Sequence, residues 1–314
     1  MRRAPFLAPD DAASILPVMR SVLMVLALAS APLSWSQMMP FWQPMGQGVA
    51  GSYYGEVSMS LDSRLRQGNG WGDDASAFNA RAGYTTLFSS KPTYSWGLGV
   101  QGDYFHFGIP DGFPLPEDVY SAAVRISSNW QFAENWTLRV DARPGLYSDF
   151  RDISWDDVNA PFLVAVGYQI NPDLLLMLGL NVNFRSDLAT VGGPGVMWRF
   201  AEGWTLNLIL PRPHVSYALT SKATVFAGGE LKAGGFRVGD DFGQDFGRPD
   251  LDNDTLSYRE IRVGGGLRYE ITRALRLLVE GGYAVDRRWE YRRADQTFRT
   301  EDAPYFQVGL NGSF

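Results

Sequence analysis

Acid/base, nucleophilic and metal chemistry all need His, Cys, Asp or Glu side chains brought together, and this 314-residue chain holds two histidines and no cysteine. The absent thiols exclude disulfides, thiolate catalysis and cysteine metal sites at once. His106 shares the parity of Tyr104 and falls on the apolar side of an extended run near one rim, whereas His214 follows the proline pair Pro211 and Pro213. Neither stands in a local pattern with a serine nucleophile, so no catalytic residue is predicted. Asp250, Asp252 and Asp254 have the alternate-oxygen spacing of a calcium loop, but Thr255 occupies the place of the turn glycine and Ile261 that of the bidentate glutamate. A solvated acidic loop is expected there, with no metal and no cofactor.

The remaining chemistry is electrostatic. Arg81, Asp103, Arg125, Arg139, Asp141, Arg143, Arg185, Arg199, Glu230, Lys232, Arg262, Arg268 and Glu280 recur on the polar side of runs whose other side is apolar. If those runs enclose a lumen, these are the candidate pore-lining residues. A mixed set of this kind predicts a water-filled pore with a transverse field biased toward anions; the alternative is an interlocked ion-pair network that fills the barrel and conducts nothing. With about 14 strands the interior exceeds what side chains alone fill, which favours the pore.

The elements that must position them have a period of two. Leu174, Leu176, Leu178, Leu180, Val182 and Phe184 make the longest apolar stripe, and Met177, Gly179, Asn181, Asn183 and Arg185 lie opposite. A strand buried on both faces would not keep two asparagines and an arginine on one side. Short turns near residues 90, 134, 172, 202, 221 and 273 alternate with longer loops near 113, 154, 247 and 297, while connections near 69, 188 and 212 are short exceptions. Trp96, Trp130, Trp136, Trp198, Trp204 and Tyr269 gather beside the short turns, as interfacial aromatics do. In lipid, strands satisfy their backbone groups only by closing. The expected fold is all-β: a transmembrane, antiparallel, up-and-down β-barrel of about 14 strands, with 12 as the alternative count and Pro194 marking the least certain region.

Composition agrees with such a barrel: 20% charged residues, 14% aromatic, 34 glycines and a formal net charge of −6. No basic block suggests a nucleic-acid partner. Arg20, the apolar run Val22–Ala29 and the small residues Ser34 and Ser36 read as an export signal over residues 1–36, cleaved before Gln37; Met19 is an alternative start. Residues 37–50 then form a periplasmic lead-in and 51–314 the barrel.

The final run Pro304–Phe314 places Phe306, Val308, Leu310 and Phe314 on one side. It resembles the last strand of bacterial outer-membrane barrels, which implies that these four residues are read by the barrel-assembly machinery. The segments Leu208–Pro213, Val225–Leu231 and Arg262–Tyr269 resemble a family of outer-membrane barrel proteins of unknown function. That resemblance implies the barrel fold and supplies no catalytic residue. The chain is therefore expected to be a non-enzymatic protein of the bacterial outer membrane, in contact with lipid and lipopolysaccharide. Its expected function is porin-like: a passive channel for small polar or anionic solutes. A non-conducting barrel whose external loops bind a surface partner is the alternative, and a carrier of hydrophobic solutes is disfavoured by the charged inward face.

Overall fold

A computed structural model describes residues 51–67, 70–91 and 93–313. The proposed signal and lead-in over residues 1–50, and Phe314 of the proposed assembly signal, lie outside the described residues.

The strands are β1 (Gly51–Gln67), β2 (Gly70–Lys91), β3 (Tyr94–Gly108), β4 (Asp118–Ala133), β5 (Trp136–Ala142), β6 (Gly145–Ser148), β7 (Val158–Asn159), β8 (Phe162–Asn171), β9 (Leu174–Val182), β10 (Thr190–Ala201), β11 (Trp204–Asn207), β12 (His214–Ala218), β13 (Ala223–Arg237), β14 (Thr255–Thr272), β15 (Leu275–Tyr291), β16 (Gln296–Thr300) and β17 (Ala303–Ser313). Neighbours pair antiparallel around a single sheet that closes where β17 pairs β1, from Ser52↔Ser313 to Ser60↔Tyr305. Because β5 continues into β6, β7 into β8 and β16 into β17, the wall has fourteen staves. The count expected from the alternating pattern is therefore the observed one.

Lipid-facing positions carry the apolar residues of each run. Leu176, Leu178 and Leu180 are exposed on β9, as are Val263 and Leu267 on β14 and Phe306 and Val308 on β17. At the level of the short turns these give way to exposed rings, including Trp130, Trp136, Trp198 and Trp204. Several pair across strands, with centroids 4.7 Å apart for Trp136–Tyr168 and 4.8 Å for Trp204–Tyr217. Amphipathic rings at one height mark the headgroup level, so the short turns form the periplasmic rim.

Two bulges change what faces inward. Register shifts between Ser60 and Ser63 on β1, so Leu65 turns into the interior and is fully buried. On β15 the pairing jumps from Arg262↔Ala284 to Ile261↔Asp286; Asp286 therefore faces outward, against Arg259, while Arg287, Trp289 and Tyr291 turn inward. One extra residue reverses every later side chain on a strand.

The connection near 212, short for an external loop, has a structural cause. Strands β11 and β12 pair over only Trp204↔Tyr217 to Asn207↔His214, so they stop partway up the wall. The segment 208–213 joins them inside the barrel's height and never reaches the external rim.

The lipid-facing stripe generates the first prediction. Leu178→Arg, at a site 62% exposed to lipid, should destabilise the barrel by about 2–4 kcal/mol, measured as reversible urea unfolding in lipid vesicles. An unchanged unfolding midpoint would mean that Leu178 does not face hydrocarbon.

Candidate functional site

The interior has three storeys. The outermost is an apolar plug formed where inward residues turn aromatic near the external ends of the strands. Phe105, Phe107, Tyr258, Trp289, Tyr291 and Phe298 are almost completely buried and pack with Leu115, Val238, Phe242 and Leu251 from the loops. Phe107 meets Trp289 edge-on at 5.3 Å and Tyr258 at 5.0 Å. The two tyrosine hydroxyls find acceptors nearby, Tyr291 Oη donating to the Pro114 carbonyl and Tyr258 Oη to Glu260, each at 2.8 Å, whereas the Trp289 indole N–H is buried without an acceptor.

A lid covers this plug. Arg237, at the tip of β13 and 2% exposed, pairs with the fully buried Asp157 at 3.0 Å, donates to the Asp152 carbonyl at 2.9 Å and to Asn253 Oδ1 at 2.5 Å, and pairs with Asp240. It thus staples the connection after β6 to the loop after β13. The Gly239 N–H donating to Asp149 Oδ2 at 2.9 Å makes a second link. Within the acidic loop, Asp250 is occupied by Arg248, Asp252 accepts from the Gly243 N–H, and Asp254 accepts from the Arg293 and Ala294 N–H groups. These carboxylates act as loop braces.

Beneath the plug lies a polar storey whose side chains reach across from wall to wall. Glu260 accepts from Arg262, from Ser60 Oγ at 3.0 Å and from Tyr258 Oη at 2.8 Å. Arg262 also donates to Gln307 Oε1 at 3.0 Å and lies 4.6 Å over the Tyr305 ring. Lys232 of β13 donates to Ser58 of β1 at 2.8 Å and to Asn79 of β2 at 3.3 Å, and pairs with Glu56 at 3.4 Å. Buried ions joined in this way are costly to separate, because removing one partner strands the other in low dielectric.

The third storey is hollow. A cavity of about 630 Å³ extends from beneath Phe105 and Phe236 down to Leu87, Asn129 and Asn311, close to the periplasmic turns. Its two walls differ in character. On β2 to β5 and in the link that follows stand Arg81 paired with Asp103, and Arg125, Arg139 and Arg143 around the single carboxylate of Asp141, at 2.6, 3.7 and 3.8 Å. Arg143 also donates to Asn181 Oδ1 at 3.1 Å. On the other side, Arg212 bridges Glu56 at 3.0 Å and Glu230 at 2.6 Å. His214 Nδ1 donates to the Arg212 carbonyl at 2.8 Å, which leaves Nε2 to accept from Arg268 at 3.2 Å. Arg268 in turn lies 4.3 Å over Phe226. Between these charged surfaces, β8 to β10 present an apolar face, in which Ala165, Met177 and Ile209 pack with Leu163 and Met197.

Of the expected pore-lining residues, Arg81, Asp103, Arg125, Arg139, Asp141, Arg143, Glu230, Lys232, Arg268 and Glu280 border this cavity. Arg262 points inward but belongs to the polar storey above. Arg185 and Arg199 require correction. Strand β9 ends at Val182, so alternation no longer governs Arg185, whose backbone carbonyl lies against Gly235 of β13. Arg199 sits at the periplasmic rim, 56% exposed, beside Asp173 at 3.4 Å. The expected set omitted Glu56, although it lies on the polar side of its run with Ser58 and Ser60, and Arg212, which stands between two prolines, and it omitted the plug. The signal for the plug was available: Phe105 and Phe107 share the parity of Asp103.

His106 lies on the outer face, with Nδ1 2.9 Å from Asp118, an acceptor shared with Tyr104 Oη at 2.7 Å. Among the described residues no three His, Asp or Glu side chains are grouped as a metal site.

A closed antiparallel barrel with an apolar outer band, an aromatic belt at one rim and a charged, partly hollow interior defines a bacterial outer-membrane β-barrel. The chain belongs to the family described as domain of unknown function DUF6268, whose profile matches residues 48–314. No curated protein matches it in sequence. Among solved structures it is similar to a deltaS2S3 mutant of the TodX monoaromatic hydrocarbon channel, at 9% identity over 85% of this chain and 91% of that one, with a TM-score of 0.47. It is also similar to an outer membrane channel from Pseudomonas putida F1, at 8% identity over 85% and 96%, TM-score 0.43, and to the NanC porin, at 10% over 84% and 100%, TM-score 0.37.

The lid makes a prediction of its own. Arg237→Ala leaves Asp157 buried without its cation, a loss of about 3–5 kcal/mol, and should expose the segments 149–157 and 239–254 to limited proteolysis while the barrel stays folded. Equal protease resistance in the variant and the parent would show that Arg237 does not hold the lid.

Proposed function

We propose that this protein is a non-catalytic, lidded channel of the outer membrane whose periplasm-side chamber selects small polar and anionic solutes. The observation that carries the reading is the cluster of Arg125, Arg139 and Arg143 around one carboxylate, Asp141. Arg125 and Arg143 alone already outnumber that carboxylate, which leaves a local surplus of positive charge on a wall bordering the cavity. A low-dielectric surround strengthens that field over its value in bulk water. Chloride, carboxylates and phosphates are drawn in, and cations are repelled. The plug and lid keep the external end shut, so passage through that end requires their displacement.

The lid also favours a second reading, in which the loops bind a surface partner: Trp155 is 89% exposed and Ile153 64%, both beside the Arg237 staple. Insertion by the barrel-assembly machinery and contact with lipopolysaccharide belong to the proposal as well, supported by Phe306 and Val308 facing outward on the closing strand.

Single-channel recording in a planar bilayer under a potassium chloride gradient tests the main reading. Openings should be brief, with a reversal potential displaced toward chloride, and Arg125→Gln with Arg143→Gln should move it toward potassium. Cation selectivity, or a reversal potential indifferent to both substitutions, would overturn the proposal.

A further inference from the structure

The wall of the barrel is incomplete at one place. Strand β10 pairs β9 along its length from Thr190↔Val182 to Trp198↔Leu174, but pairs β11 only at Met197↔Asn207, Trp198↔Leu206 and Ala201↔Trp204. On the far side of the short strands, β13 pairs β12 only up to Gly228↔His214 while continuing to pair β14 as far as Arg237↔Thr255. Above β11 and β12, therefore, the edges of β10 and β13 face one another with no strand between them. At the base those edges are held three strand spacings apart, roughly 14 Å.

The connection 208–213 closes the lower part of the gap. Leu208 donates its N–H to the Val196 carbonyl, and Leu231 donates to the Pro211 carbonyl, at 2.8 and 2.9 Å. At the top, the Arg185 carbonyl lies against Gly235, where a β-carbon would collide with it, and the Asp187 N–H donates to Ser257 Oγ at 2.8 Å. Between these seals, backbone alternation leaves Gly192 and Pro194 on one edge, and Ala233 on the other, without strand partners. An unpaired edge in hydrocarbon is costly unless it borders a wet cavity. Two features meet that condition. Pro194 has no N–H to leave unpaired, and Gly192, Pro194 and Ala233, all exposed, border the same cavity as the arginine cluster.

The opening lies within the lipid-facing band. Gly192 pairs with Leu180, and Leu231 pairs with Ile261, both exposed apolar residues. Leu210 is 43% exposed and borders the cavity, so it belongs to both the outer surface and the inner one. Inside the gap, the apolar face of Leu163, Met177 and Ile209 leads from this rim into the chamber.

We propose that this gap is a lateral window through which an anionic amphiphile passes between chamber and bilayer, its head held at the arginine wall and its chain lying along the apolar face. The inference rests on the anionic reading of the chamber and adds the route and the chain. It also explains how a barrel plugged at its outer end still has an exit.

The chain has no native cysteine, which permits a direct test. A bimane label is placed at Ala233→Cys on the rim and, separately, at Ala82→Cys on the lipid-facing side of β2, and folded protein in lipid vesicles is titrated with 12-bromododecanoate, a quencher. The label at 233 should be quenched saturably, at concentrations that leave the label at 82 changed only by gradual partitioning. Arg125→Gln with Arg143→Gln should raise the half-quenching concentration about tenfold, the scale of a lost charge-assisted hydrogen bond. Equal, unsaturating quenching at both positions would overturn the window. Saturable quenching at 233 that ignores the arginine substitutions would overturn the anionic head. The reversal-potential measurement does not involve the rim, so an anion-selective chamber with no window gives a different pattern from the failure of both.

Discussion

Everything in this structure depends on the pairing of backbone N–H and C=O groups in a medium that offers no water. That constraint forces closure, and closure fixes an inside and an outside for every strand residue. It is met around the ring by the long pairings of β13 with β14, β14 with β15, and β17 with β1. Among the described residues it is relaxed between Gly192–Pro194 and Ala233, a stretch that adjoins the cavity. A defect in the wall is thus tolerated where the interior is hollow.

The interior is divided by the same logic of paired groups. Near the external end, side chains from facing walls meet and satisfy one another: Lys232 reaches Ser58 and Asn79, and Arg262 reaches Gln307. Above them, aromatic packing excludes water. Below them, β8 to β10 contribute small or apolar inward residues such as Gly179 and Ala165, and the charged wall meets that face at Asn181, which accepts from Arg143. Of the two interiors weighed from sequence, the interlocked network fills one height of the barrel, and a cavity lies beneath it.

Much of the fold was legible because a period of two is a direct consequence of a wall with two different solvents. The stripe Leu174–Phe184, the short turns and the aromatic belt all follow from it, as does the count of fourteen staves. Legibility failed where alternation stops carrying information. Bulges at Ser60–Ser63 and near Val285 reverse the facing of Leu65 and Asp286, and a bulge leaves little mark in a single sequence. Arg185 lies past the end of its strand, and Arg199 at a rim where inward and outward merge. Pro194 was visible as an anomaly. Its meaning, an edge left open by two short neighbours, needed the pairing register.

Amide hydrogen exchange of the folded protein in lipid bilayers tests the central claim most directly, since it reads backbone pairing residue by residue. The N–H groups of Gly192 and Ala233 should exchange orders of magnitude faster than those of Leu180 and Ile261 at the same depth. Uniform protection across these four positions would contradict the account, because it would mean that the wall is sealed and the chamber has no opening to the bilayer.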